Sequence, residues 1–127
     1  MERQAMRVEL GGNVRQEDTR QIAEAAALEG YRLDFEATSS AADIETAFSE
    51  AAEVGETVTL CRDQAPTGDV PGLSRLLVEK GITHQVRWQH PDTGRPSYHH
   101  VDQHGGISGR ERTVPAIQVI PQAPGLR

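Results

Sequence analysis

Cysteine, lysine and aromatic residues are all scarce in this chain of 127 residues. Cys61 is the single cysteine, so no disulfide framework forms within the chain. A lone thiol in a strand reads as a buried side chain of a reducing, cytoplasmic environment, and without a thiolate-stabilising neighbour it is a poor nucleophile. Five aromatics, Tyr31, Phe35, Phe48, Trp88 and Tyr98, leave an aliphatic core to be built. No apolar run approaches the roughly 20 residues needed to cross a bilayer. The first ten residues carry Glu2, Arg3, Arg7 and Glu9 and no apolar stretch, which predicts no secretory signal. Paired Cys-x-x-Cys and His-Glu-x-x-His motifs are missing, as is the Gly-Lys-Ser/Thr of a phosphate-binding loop. Lys80 is the only lysine beside 12 arginines, a skew that reflects a GC-rich genome rather than a mechanism.

What the chain does hold is acid, unevenly placed. Residues 1–69 contain 15 carboxylates against 6 arginines, while residues 70–127 contain 4 against 7 bases, for an overall net charge of −6. Much of the acid sits on two expected helices: Glu17, Asp18, Glu24 and Glu29 on one, Asp43, Glu45, Glu50 and Glu53 on the other. Direct nucleic-acid binding is disfavoured, because phosphate requires a positive field. Two readings stay open: solvated faces that keep the chain soluble, and an anionic surface aimed at a basic protein partner.

Strand and helix signals alternate through the first half. Residues 6–10 alternate apolar and polar and stop at Gly11-Gly12. Asn13, with Gln16 three residues on, predicts a helix cap, and Ile22, Ala25, Ala26 and Leu28 supply the apolar face up to Gly30. Tyr31, Leu33 and Phe35 mark a second strand. Ser40 and Asp43 form a capping-box pattern before Ile44, Ala47, Phe48, Ala51 and Ala52, which recur at helical spacing to Gly55. Residues 57–61 are a third strand, and 62–69 a turn-rich connection. Asp69 and Pro71 open a third helix with Leu73, Leu76 and Leu77 on its buried side and Gly81 at its end. Residues 82–90 and 96–103 then flank Pro91-Asp-Thr-Gly94 as a hairpin, residues 105–113 form a loop, and 114–120 a last strand. The expectation is an α/β or α+β domain over residues 1–120: one mixed sheet of five to six strands, about three helices and a hairpin in the C-terminal half, with 121–127 as a tail. A ferredoxin-like two-layer sandwich and a three-layer arrangement both remain open.

All five histidines, His84, His90, His99, His100 and His104, fall in or beside the hairpin. A three-residue turn closed by Pro91 and Arg95 would oppose Trp88 to Tyr98, Val86 to His100 and His84 to Asp102. One core-facing side would then carry His84, His100 and Asp102, while His99 faces solvent. Two imidazoles and a carboxylate suit zinc or non-haem iron, with His104 as a fourth ligand and metal-bound water as a nucleophile. The alternative is a plain His84–Asp102 pair with no metal and no cofactor at all. A one-residue slip would send the ligands to the other face. The run Gly105-Gly-Ile-Ser-Gly109 with Arg110 and Arg112 offers backbone N–H groups to an anion, but equally reads as a connecting loop. Ser39 and Ser40 are explained by capping, and Trp88 by anchoring the core.

The segment Val70-Pro-Gly-Leu-Ser-Arg-Leu-Leu-Val-Glu-Lys-Gly-Ile82, with Asp102-Gln-His-Gly105 beyond it, resembles small proteins encoded on plasmids and phages of GC-rich bacteria. That resemblance implies a context, not an activity: such accessory proteins bind host proteins, and some small acidic ones inhibit CRISPR or restriction complexes. The combined reading is a non-enzymatic, cytoplasmic protein that binds another protein stoichiometrically. Its expected surface is Glu17, Asp18, Glu24, Asp43, Glu45, Glu50, Glu53, Arg110 and Arg112. The alternatives are a metal-binding protein or metal-dependent hydrolase on the hairpin, and a homodimer formed through the hairpin edge.

Overall fold

The computed structural model describes residues 3–33, 38–66, 72–89 and 93–121. Phe35, Asp69, Pro71, the Pro91-Asp92 half of the turn, His90 and residues 122–127 lie outside them. Within the described residues the order is β1 (Arg3–Arg15), α1 (Gln16–Leu28), β2 (Arg32–Leu33), α2 (Ala41–Val54), β3 (Val58–Pro66), α3 (Gly72–Glu79), β4 (Thr83–Gln89), β5 (Pro96–Val101), β6 (Ile107–Ser108) and β7 (Ile117–Ile120). The sheet runs β2-β3-β1-β4-β5-β6 with every neighbour antiparallel, and β7 adds a parallel pairing to β1. This is one mixed sheet of α+β class with three helices and a hairpin in the C-terminal half.

Alternation along β1 sets the two faces. Met6, Val8 and Leu10 are at most 2% exposed and point toward the helices, opposite Val86 and His84 on β4 and Val58 and Leu60 on β3. Ile22, Ala23 and Ala26 of α1, Ile44 and Phe48 of α2, and Leu73 and Leu77 of α3 join them in one apolar cluster. A single cluster shared by three helices and one sheet face makes a two-layer packing. Each fully buried aliphatic side chain there contributes on the order of 1.5–3 kcal/mol of transfer free energy.

Local signals succeeded where the chain controls them. The Ser40 hydroxyl accepts the Asp43 N–H at 3.1 Å while the Asp43 carboxylate accepts the Ser40 N–H at 3.0 Å, completing the capping box. Gly55 ends α2 in the left-handed conformation.

Other expectations are corrected. β1 does not stop at Gly11-Gly12 but runs to Arg15, because residues 12–15 pair with β7. Asn13 is therefore in the strand, and Arg15 takes the cap position of α1 with no side-chain hydrogen bond. Leu28 is 90% exposed rather than core, the buried stripe being Thr19, Ile22, Ala23 and Ala26. β3 extends to Pro66, through residues 62–66 of the expected connection, because β1 pairs with it back to Arg3.

The second sheet face is crossed by the segment between β6 and β7. The Arg112 N–H donates to Gln85 Oε1 at 2.8 Å, and the Gly12 N–H is shared by the Pro115 and Ala116 carbonyls at 3.1 Å each. Ile117 then donates its N–H to the Glu56 carbonyl at 2.9 Å. Gly11 permits this approach: a Cβ there would sit 1.8 Å from the Pro115 oxygen and 2.6 Å from Val114 Cγ1. Backbone cannot yield as a side-chain tip does, so only glycine fits.

Gly11→Ala is accordingly expected to cost about 1–3 kcal/mol by overpacking and to raise hydrogen exchange at the Gly12 amide. Urea unfolding and amide exchange check both. Unchanged stability would show that the crossing segment sits there independently of the missing side chain.

Candidate functional site

The hairpin is one residue out of the expected register. β4 and β5 pair Gln85 with His100, Val86 with His99, Arg87 with Tyr98 and Trp88 with Ser97, and the connection spans residues 90–95. Val101, not Asp102, lies opposite His84 and is 1% exposed. The slip sets Val101 rather than His100 on the face beneath the helices, as the hydrophobic effect favours. His84 and His100 consequently stand on opposite faces of the sheet, Tyr98 leaves the Trp88 side, and His99 joins the helix-facing side, half-buried. Gly94 adopts the left-handed conformation, at φ 69°.

Each supposed metal ligand has another occupation. His84 is 0% exposed beneath α3. Its Nδ1 lies 2.9 Å from the Ile82 carbonyl, which only accepts, so Nδ1 carries the proton. Nε2 therefore accepts from the Ser74 hydroxyl, at 2.6 Å. His100 donates from Nδ1 to Gln85 Oε1 at 3.1 Å, and the crossing segment seals it to 5% exposure. Asp102 is exposed and accepts the backbone N–H groups of Gly106 and His104, each at 2.8 Å. These bonds hold its carboxyl below the usual range, the Gly106 bond being the larger cause. His104 is exposed, its Nε2 3.1 Å from the Gln103 side-chain amide. Among the described residues no three His, Cys, Asp or Glu side chains group as metal ligands.

The Ser74–His84–Ile82 chain has the order of a hydroxyl nucleophile, a base and an orienting acceptor. Sequence reading missed it because the two side chains come from α3 and β4, ten positions apart. Ser74 is only 3% exposed, so the arrangement pins α3 to the sheet rather than presenting a hydroxyl to substrate. Burial pushes the His84 imidazole below its ordinary value, against the opposing hydrogen bond to Ile82. Burial does the same at His100, helped by the nearby Arg112 charge.

The acidic residues divide into two groups. On α1, Asp18 lies 3.3 Å from Lys80 and Glu24 3.8 Å from Arg20, while Glu17 is exposed. On α2, Asp43 and Glu50 line an open groove of about 550 Å³ against β3, and Glu56 adds a third carboxylate that the sequence pattern did not single out. Its apolar lining is Leu33, Ala47, Ala51, Val54 and Val58, interleaved with Thr46, Thr57 and Thr59. Val54 is 66% exposed, a large apolar side chain left toward solvent. Hydrogen bonds from Ser40 hold the Asp43 carboxyl low, keeping it charged. Glu45 and Glu53 sit on the same helix outside the groove lining, and Arg110 and Arg112 are exposed on the crossing segment. At the hairpin edge proposed for self-association, β6 already pairs with His100 and Val101. Cys61 is buried in β3, as expected. No helix among the described residues is long and apolar enough to cross a membrane.

No protein-family model, curated protein or solved structure matches this chain.

The two buried imidazoles predict a pH dependence. An unfolded histidine titrates near pH 6.5, and both folded rings titrate lower. Above pH 7 the rings are neutral folded or unfolded. Below about 6.5 the unfolded chain takes up protons that the folded chain refuses, so stability falls with pH, by at most about 1.4 kcal/mol per unit per ring. Urea unfolding at pH 7.5 and 5.5 reads this directly, and a pH-independent midpoint would contradict it. Ser74→Ala is expected to cost about 1–3 kcal/mol by leaving the His84 Nε2 acceptor unpaired.

Proposed function

We propose that the protein is a stoichiometric, non-enzymatic binder of another protein, and that the α2–β3 groove receives a basic, amphipathic segment of that partner. The observation that carries this reading is the pairing of an apolar lining with three rim carboxylates, Asp43, Glu50 and Glu56. Apolar side chains of a guest segment would gain burial, while its Lys or Arg residues meet the rim and supply register and association rate. The net charge of −6 adds long-range attraction for the same class of partner. Nucleic-acid-binding complexes present such basic segments, and the resemblance to mobile-element accessory proteins favours a restriction or CRISPR complex in the cytoplasm.

A fluorescent peptide alternating leucine and lysine on a helical repeat is the probe. Anisotropy is expected to show micromolar binding that weakens with salt. Glu50→Lys with Glu56→Lys should weaken it by roughly tenfold or more, a loss of about 1.4 kcal/mol. Glu17→Lys with Glu24→Lys changes the net charge equally but lies outside the groove, and should leave most of the affinity. Equal losses in the two double variants would defeat the groove reading.

A further inference from the structure

A second cavity, of about 370 Å³, lies where the end of β1, the end of α3 and the turn after β5 meet. We propose that it binds a small phosphomonoester, through the phosphate group. This inference is independent of the acidic groove and involves the opposite charge.

The lining holds two cations, Arg15 and Lys80, together with the side chains of Asn13, Gln103, His104 and Ile120. No carboxylate is among the described lining residues, in a chain whose net charge is −6. The sole lysine of the sequence is thus spent at this concavity. Its ammonium carries three donors, and its ion-pair partner among the described residues, the Asp18 carboxylate at 3.3 Å, is not one of the cavity-lining residues. That arrangement holds the Lys80 side chain in place, 26% exposed, with donors left for a guest. Arg15 is exposed and offers a planar fork suited to two phosphate oxygens. The Gln103 amide nitrogen lies 3.1 Å from His104 Nε2. Donating there, it leaves Nδ1 as the N–H donor of the ring. The cavity is larger than a phosphate alone, and Ile120, 42% exposed, provides an apolar wall for a small organic remainder.

The test is a ¹⁵N-resolved NMR titration of the full chain with inorganic phosphate at constant ionic strength, then with ribose 5-phosphate. The expected result is saturable movement of the Arg15, Gly81 and His104 amides, with ribose 5-phosphate displacing inorganic phosphate at the same amides. Lys80→Gln and Arg15→Gln should each weaken binding by roughly fivefold or more. Asp18→Asn should tighten it about two- to fivefold by releasing the ammonium, whereas Glu24→Gln, the same charge change on the same helix, should stay within about twofold. Shifts that never saturate, wild-type affinity in Lys80→Gln, equal tightening in Asp18→Asn and Glu24→Gln, or failure of ribose 5-phosphate to compete would each overturn the assignment.

Discussion

One strand has to satisfy its backbone against three others. β1 gives its first two-thirds to β3 and β4 and its last four residues to β7, so it joins β2-β3, β4-β5-β6 and β7 into one sheet. Its alternation places Met6, Val8 and Leu10 under the helices and leaves Arg7, Glu9 and Gly11 on the other face. The inward row anchors the core, and the outward glycine admits the crossing segment. That segment in turn covers Gln85 and His100 and delivers β7 to its place. A single residue's missing side chain thus connects the packing of one face to the completion of the sheet.

Legibility in the sequence followed the range of the interaction. The Ser40–Asp43 box, the α2 stripe from Ile44 to Ala51 and the Gly55 stop are local, and each lies where the pattern put it. The hairpin was visible as two strands about a glycine turn, yet its register depended on which β5 residue the core would accept. Val101 won that place, a choice set by β1 and the helices rather than by the turn. The continuation of β1 past two glycines was hidden for the same reason, since its partner lies near the other end of the chain. Of the interaction surface, Asp43 and Glu50 were legible as helical acids, whereas Glu56 and the apolar lining emerged only when α2 met β3.

The histidines show how composition misleads when distance in the sheet is unknown. Clustering in sequence brought together residues that the pleat then separated, one beneath α3 and one beneath the crossing segment. Each ended as a buried ring joining two elements through a directed pair of hydrogen bonds, or through one bond and a seal of backbone. Charge, by contrast, remained at the surface and sorted by sign: carboxylates rim the α2–β3 groove, and Arg15 and Lys80 face the cavity at the far end of β1.

The parallel pairing of Gly12–Arg15 with Ile117–Ile120 joins positions more than a hundred apart in the chain. Closing so long a loop is entropically unfavourable until the intervening elements have condensed and shortened the effective separation. Docking of β7 and its leading segment is therefore a late event in folding, after the helices have covered the Met6–Leu10 face. By the same logic it is an early event in partial unfolding, a clasp whose release also withdraws Ile117 from the apolar cluster.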